Sequence, residues 1–368
     1  MSELRRVRWS GWPATMSCGG FGGVRFENFI VHLEVERTEM VTPAVVTGDG
    51  GRALAFDDRP AGVTVLQVLD LPPLGNDISA LPRLWIAAAG VSPAWRRAAI
   101  AISGDDGASY AVIGVADGAT VQGATASALR AGDTSGWDRH GHVDVELLSD
   151  AMWIEGRTPA AVLAGGNLAL VGDEIIQFSK ALAIGPRRFR LSGLLRGRRG
   201  TEGEVGNHAI GDRFVMLDPG GMLPFDPPAE ALGRMFRVRA AGVGDAGSAS
   251  LAVAAGGQAL RPLSPVHLKL TRSDVAITAK WVRRSRTGFG WSDFVDAPLG
   301  EATESYQVVF STGEHAPRRF VVAEPQCSLP LADWLADGGG EVSVTVTQLS
   351  AMAGPGRAAT RHFESGAR

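Results

Sequence analysis

Six arginines fall within thirteen residues: Arg187, Arg188, Arg190, Arg196, Arg198 and Arg199. A guanidinium group pairs carboxylates and phosphates through a planar fork, so a run of this kind is chemistry for holding anions. The anion can be a nucleic-acid backbone, an acidic substrate or the acidic face of a protein. The last three sit in Arg196-Gly197-Arg198-Arg199-Gly200-Thr201-Glu202, between two alternating stretches, and Arg283, Arg284 and Arg286 form a second cluster. Lysine occurs only at Lys180, Lys269 and Lys280 among 36 basic residues, so arginine is the general cation here and its clusters must be judged by position. Only two tyrosines exist and few aromatics interleave with the arginines, so base stacking lacks support. A net charge of −3 gives no general attraction to nucleic acid or membranes. The turn therefore reads as a protein contact, with Arg196, Arg198, Arg199 and Glu202 as candidate subunit-interface residues; a solvated turn is the alternative.

Other reactive groupings are sparse. His140-Gly141-His142, with Asp138 and Asp144, is the one His/carboxylate cluster, and strand alternation would bring His140, His142 and Asp144 to one face. A solvated loop end is the expected outcome there, not a metal. No H-E-x-x-H, G-x-S-x-G or G-x-x-x-x-G-K-[ST] occurs. Gly19-Gly20-Phe21-Gly22-Gly23 is followed by Val24-Arg25-Phe26, with no helix signal, and reads as a flexible turn. Asp57-Asp58, Asp105-Asp106 and Asp173-Glu174 are adjacent carboxylates, which strand geometry sends to opposite faces, unlike an acid/base pair. No catalytic, cofactor or metal site is expected. Cys18 and Cys327 are distant and make neither a disulfide scaffold nor a zinc site. The basic start MSELRRVRWSGW is not followed by an apolar region of the signal-peptide kind, and no apolar run approaches the roughly 18 residues of a membrane span.

The elements that must position these residues are short strands. At 368 residues, with 48 Gly and 20 Pro, several small β-domains are expected. Residues 1–60 hold one or two strands within Arg25–Arg37. Residues 61–218 hold Val63–Leu69, Arg83–Ala89, Ala98–Ser103, Tyr110–Val115 and Val143–Leu148, then Glu174–Phe178, Phe189–Leu195 and Arg213–Leu217. The last two read as a hairpin that presents the arginine turn. Ser103-Gly104-Asp105-Asp106-Gly107-Ala108-Ser109-Tyr110 fits the turn called an Asp box, here a single hairpin, since no repeat of about 40–50 residues accompanies it. Thr158, Pro159 and Gly165-Gly166-Asn167 mark a short helix by N-cap, first-turn proline and stop. Phe178, Phe189 and Phe214 are assigned to a core. Residues 219–262, broken by Asp218-Pro219-Gly220-Gly221 and Pro224–Pro228, read as a connector that carries one strand at Met235–Ala240. Residues 263–352 resemble a fibronectin type III sandwich, with Trp281 and Tyr306 between its sheets and Trp291 and Phe294 as surface-contact aromatics. Leu331–Asp337 reads as a helical turn, and residues 353–368 as a flexible tail.

Three runs carry a family resemblance: Gly166-Asn167-Leu168-Ala169-Leu170-Val171-Gly172-Asp173-Glu174 with its Ile-Ile-Gln-Phe continuation, Arg190-Leu191-Ser192-Gly193-Leu194-Leu195-Arg196-Gly197-Arg198-Arg199-Gly200-Thr201-Glu202, and Asn207-His208-Ala209 with Gly211-Asp212-Arg213-Phe214-Val215. With the downstream S-P-V-H-L, W-V-R-R-S-R, D-A-P-L-G-E and V-T-Q-L-S, and the upstream Trp95-Arg96-Arg97 and Asp box, they resemble the baseplate tail-hub ("megatron"-like) protein of alphaproteobacterial gene transfer agents and related siphophages. The resemblance implies a homotrimer in the tail tip of a virion, in contact with other tail and baseplate proteins and exposed toward the host surface. Full-length relatives carry an upstream glycoside-hydrolase-like TIM barrel, and no eightfold βα alternation occurs here, so hydrolase activity is not carried over and the chain reads as the C-terminal part.

The expectation is thus a mainly β, multi-domain structural protein of a tail tip: small barrel or sandwich hub domains followed by a fibronectin type III-like sandwich. Two other readings remain open. One is an adhesin that binds a host receptor or glycan through the C-terminal sandwich, and the other is a glycoside hydrolase.

Overall fold

Residues 20–27, 30–36, 60–75, 80–287 and 296–363 are described by the computed structural model, in which the chain divides into two units, Met1–Asp58 and Arg59–Arg368. In the first, β1 (Gly20–Glu27) and β2 (Ile30–Glu36) pair antiparallel, with the register slipping between Phe21 and Gly23. Gly20 to Gly23 therefore lie in a strand and not in the turn that the glycine run suggests, because pairing with β2 overrides glycine's weak strand preference and a bulge takes up the irregularity.

The second unit begins with β3 (Thr64–Asp70) and β4 (Leu84–Gly90), then β5 (Ala98–Ser103) and β6 (Ala111–Ala116). The Asp-box residues turn the β5–β6 hairpin: the Ser103 hydroxyl donates to Asp105, and Asp105 accepts the Ser109 amide at 3.0 Å. Hydrogen bonds from the Ser103 and Ser109 hydroxyls hold the Asp105 carboxyl well below the usual carboxylate range. Asp106 and Gly107 take positive φ, the conformation for which Asp and Gly are suited.

A closed barrel follows, built from β7 (Gln122–Thr125), β8 (Trp137–Leu147), β9 (Leu168–Val171), β10 (Glu174–Gly185), β11 (Arg188–Leu195) and β12 (Arg213–Met216) in the order β10-β11-β8-β7-β12-β9. Between β8 and β9 lies α1 (Pro159–Leu163), capped by the Thr158 hydroxyl accepting from the Ala161 amide at 3.3 Å. Two expectations change here. Glu174–Phe178 is the first part of a longer strand, which continues past its buried residues as an exposed ribbon paired with β11. Phe189–Leu195 and Arg213–Leu217 do not form a hairpin: β11 pairs with β10 and β8, and β12 with β7 and β9. Closure decides this, because it gives every strand two neighbours and leaves no edge. Phe178, Phe189 and Phe214 fill the interior with Val143, Val145, Val171, Ile176 and Leu191.

The chain then returns to the first sheets. β13 (Leu223–Phe225) pairs with β4, β14 (Met235–Gly242) with β5, and β15 (Ala249–Ala254) with β14. Residues 219–262 are therefore no connector; they complete a sandwich of sheets β13-β4-β3 and β15-β14-β5-β6, between whose strands the barrel is inserted. β4 shows why its sequence, LWIAAAG, has no polar residue. Leu84, Ile86 and Ala88 face the sandwich core, while Trp85 and Ala87 face a second cluster with Leu168, Leu170 and Val215 of the barrel. Alternation puts successive side chains on opposite faces, and both faces of β4 are covered.

Asp70, at the end of β3, is a cost of this closure. Burial pushes its carboxyl up to about 6, against the lowering effect of the Gln258, Gly256 and Gly257 amides and the Arg261 charge. The folded value lies above the ordinary one, so the charged form weakens the fold above that range, and the penalty fades as pH falls through about 6. Asp70→Asn keeps an oxygen for the Gln258 amide, which donates at 3.0 Å. It is expected to raise stability at about pH 8 by on the order of 1–2 kcal/mol and to flatten the pH profile in urea denaturation. An unchanged profile would mean that water reaches the carboxylate.

The C-terminal module comprises β16 (Val266–Arg272), β17 (Ala276–Val282), β18 (Tyr306–Thr312), β19 (Arg318–Val322), β20 (Gln326–Pro330), α2 (Leu331–Ala336), β21 (Val342–Ser350) and β22 (Gly354–Phe363). Its sheets, β16-β17-β20 and β19-β18-β21-β22, have the strand order of a fibronectin type III-like sandwich. Trp281 and Tyr306 meet edge to face at 5.1 Å in its core, beside Phe310, Leu329, Trp334 and Val344. The tail expected at residues 353–368 is instead β22 through Phe363, the last strand of the sandwich. Its Gly, Pro and Arg content hid it, since an edge strand is held by its backbone and can be polar outside.

Candidate functional site

The barrel positions the arginine turn. β11 ends at Leu195, and Arg196 to Glu204 then fold into two successive 3-10 turns. Gly197, Arg199 and Gly200 all take positive φ. A Cβ on Gly197 would stand 2.8 Å from the Glu202 Cα, and one on Gly200 would stand 2.4 Å from Leu263, so both glycines are required by space as well as by conformation. Thr201 fastens the turn to the barrel: its hydroxyl accepts the Ile175 amide at 2.9 Å and donates to the Arg198 carbonyl at 2.8 Å.

Beneath the turn lies a charge cluster inside the fold. Glu174 is fully buried, and its two oxygens receive Arg196 Nε and Nη2 at 2.8 Å each. The Gly197 amide donates to the same carboxylate at 2.7 Å, and His208 Nε2 lies 2.7 Å from it. Arg196 Nη1 continues to the Arg130 carbonyl at 2.8 Å and to Asp138 at 3.3 Å. Burial by itself would raise the Glu174 carboxyl, but the hydrogen bonds from His208, Arg196 and Gly197, together with the Arg196 charge, bring it below the usual carboxylate range. Glu174 is thus an acceptor, and His208 presents Nε2–H to it; His208 Nδ1 stays 3.6 Å from Asp212 and makes no hydrogen bond.

This overturns the expectation for Arg196. Its side chain is 0% exposed and neutralised by Glu174, so it cannot be presented to another subunit. Arg187 and Arg188 pair with Glu146, and Arg190 takes Asp144 at 2.7 and 2.8 Å, as cross-strand partners on β8. Glu202 meets Arg284 of the C-terminal sandwich at 2.7 Å, and Glu204 meets Arg357 at 3.1 Å, so these carboxylates have partners in the same chain. Arg198 and Arg199 are half-buried: Arg198 Nε donates to Gln177 at 2.9 Å and Arg199 Nη2 to the Leu74 carbonyl at 2.7 Å. Together with Arg284, Arg357 and Ser264 they line a groove of about 640 Å³ where the barrel meets the C-terminal sandwich.

The remaining candidates fall elsewhere. Asp138 caps the bend in β8 by accepting the His140 and Gly141 amides, Asp144 is held by Arg190, and His140 and His142 are outward-facing. No group of three or more His, Cys, Asp or Glu among the described residues is arranged to hold a metal. Likewise, no helix among the described residues is long and apolar enough to cross a membrane. Trp291 and Phe294, like Asp57-Asp58 and Cys18, lie outside the described residues.

The Glu174–Arg196–His208 cluster escaped the sequence reading, yet it left a trace. Asp173 is exposed and bonded to Arg213, so its neighbour Glu174 points inward with Ile176 and Phe178. A carboxylate in phase with interior residues demands a partner, and Arg196 follows the interior residue Leu194 at the same two-residue spacing.

Residues 120–215 match a family described as Rcc01698-like, C-terminal, a name related to gene transfer agents. The match covers about a quarter of the chain and runs from just before β7 into β12, which is the barrel and its arginine turn. No curated protein matches the chain. Among solved structures, the FN1–FN3 domains of chicken CNTN1 align over 83% of this chain and 99% of theirs, at 10% identity and a TM-score of 0.20. The selenomethionine-substituted chicken interferon gamma receptor alpha chain aligns over 66% of this chain and 97% of its own, at 9% identity and a TM-score of 0.23.

Proposed function

We propose that this chain is a structural component of the tail tip of a gene transfer agent or related phage, in which the barrel serves as a hub domain and the C-terminal sandwich is turned toward the host surface. The observation that carries the reading is the family match, which coincides with one closed barrel. The tail-hub motifs of the sequence fall on that barrel's framework: Gly172-Asp173-Glu174 opens β10, and Arg196-Gly197-Arg198-Arg199-Gly200 forms the turn locked over Glu174. Ion pairs from Glu202 and Glu204 to Arg284 and Arg357 join the barrel to the sandwich, which suits a part that transmits position more than one that turns over a substrate. The role proposed is assembly and presentation, without catalysis by this chain, in a homotrimer contacting other baseplate proteins.

The test is to co-express the chain with the other tail proteins of its particle and to follow the products by sedimentation velocity and pull-down. A trimer that enters a larger tail complex is expected. A chain that stays monomeric and is left out of particles assembled around it would overturn the reading.

A further inference from the structure

The groove between barrel and C-terminal sandwich has an uneven charge balance. Arg198 and Arg199 from the barrel and Arg284 and Arg357 from the sandwich line it, while Glu202 lines it and Glu204 stands behind as the partner of Arg357. Arg196 also borders the groove but is cancelled by Glu174. With Arg199 left aside, since its fork is engaged at Leu74, three guanidinium groups face these two carboxylates among the described residues. The donors are incompletely used as well: Arg198 spends Nε on the neutral Gln177, and Arg284 spends Nη1 on Glu202. A guanidinium carries five N–H donors in a fixed fork, so each has hydrogens to offer to an acceptor in the groove. Burial draws Arg198 and Arg199 below their ordinary value; the Arg284 charge adds to this for Arg198, against Glu202, and the Arg198 charge adds to it for Arg199. Half-buried like charges of this kind are relieved by an anion.

Which anion follows from shape and lining. None of the residues lining the groove is aromatic, so a nucleobase or a sugar ring finds nothing to stack on. The chain's net charge of −3 also opposes a long polyanion, whose binding would draw on the field of the whole surface. A volume of about 640 Å³ is of the size that houses an organic ligand rather than one inorganic ion. We propose that this groove is a docking site for a carboxylate-rich peptide segment of a partner protein, whose acidic side chains are received by Arg198 on the barrel and Arg284 on the sandwich. Occupation clamps the two modules together, since each contributes one fork. The proposal deepens the assembly reading by naming the surface and the chemistry of the partner, and it rests on that reading for the partner's being a tail protein.

The test uses the full chain and a fluorescently labelled short oligoglutamate, followed by anisotropy at low and moderate salt. Saturable binding is expected, weakened by salt, with no binding of an oligoglutamine control. Arg198→Gln and Arg284→Gln should each weaken it about tenfold, the loss of one charge-assisted pair, with Arg198→Lys falling between. Thermal melting of each variant reports whether it is folded, and Arg357→Gln replaces any that is not. No binding, or binding unchanged in folded variants, would overturn the proposal and leave the arginines as intrachain staples. Tighter binding of a single-stranded oligodeoxynucleotide of equal charge, or equal occupation by inorganic phosphate alone, would overturn the peptide assignment. Particle assembly is scored separately: variants that lose the peptide yet still assemble would remove the groove while leaving the tail-tip reading in place.

Discussion

Arg196→Met is expected to destabilise the chain by about 3–5 kcal/mol, the usual cost of leaving one member of a buried ion pair without its partner. Arg196 is the principal counter-charge of a carboxylate that is itself 0% exposed, and methionine supplies the volume but none of the three contacts, to Glu174, Arg130 and Asp138. Most domains have about 5–15 kcal/mol in total, so the barrel should melt far earlier, with far-UV circular dichroism as the measure. Replacing both partners, as Glu174→Leu with Arg196→Met, should recover part of the loss, because no charge is then stranded. The gain will be incomplete, since His208 Nε2 and the Gly197 amide lose their acceptor. Acid gives the same result without mutation. The folded Glu174 carboxyl lies below its ordinary value, so its contribution is present above that value and is lost as pH falls through the folded one. A single mutant as stable as the parent would show that water or a local shift replaces Arg196.

Ending the chain after Ala353 is expected to unfold the C-terminal sandwich while sparing the barrel. β22 pairs along nearly the whole of β21, a strand whose Val342, Val344 and Val346 are fully buried. Its removal strips these hydrogen bonds, each worth about 1 kcal/mol net, and bares an edge to other chains. It also removes Arg357 and the Ala358 carbonyl, which hold Glu204 and Ser264. Limited proteolysis should then cut within residues 263–353 and leave 60–262 intact, with aggregation at higher concentration. Protection of the module equal to that of the full chain would mean that β22 only decorates the sandwich. The result matters for any experiment that treats the last residues as a disposable tail.

The two cases mark what could be read from residues alone. Local chemistry was legible where one segment decides its own conformation: the Asp-box turn at Ser103–Tyr110, the Thr158-Pro159 helix start, the strand Ala98–Ser103, and the mainly β character. The short apolar strands also marked Phe178, Phe189 and Phe214 as anchors, and the resemblance to a fibronectin type III sandwich placed Trp281 and Tyr306 between its sheets. What stayed hidden was the strand pairing that joins distant segments. Leu223–Phe225 and Ala249–Ala254 are strands because β4 and β14 offer them edges, and the polar β22 is a strand because β21 does.

The arginine turn obeys the same division. Its glycines and its charge are written in Gly197-Arg198-Arg199-Gly200, but whether a guanidinium faces water, a carboxylate or a neighbour depends on what lies opposite. Barrel closure places Glu174 under Arg196 and makes a presumed contact residue part of the interior. Docking of the sandwich places Arg284 and Arg357 across from the turn and makes the groove. Residue types and spacing determined that this chain would be a set of small β-domains with an arginine-rich turn. Only the tertiary structure decided which of those arginines is locked inside the fold and which line the groove, because a charge acts on what is near in space and spacing along the chain does not say what that is.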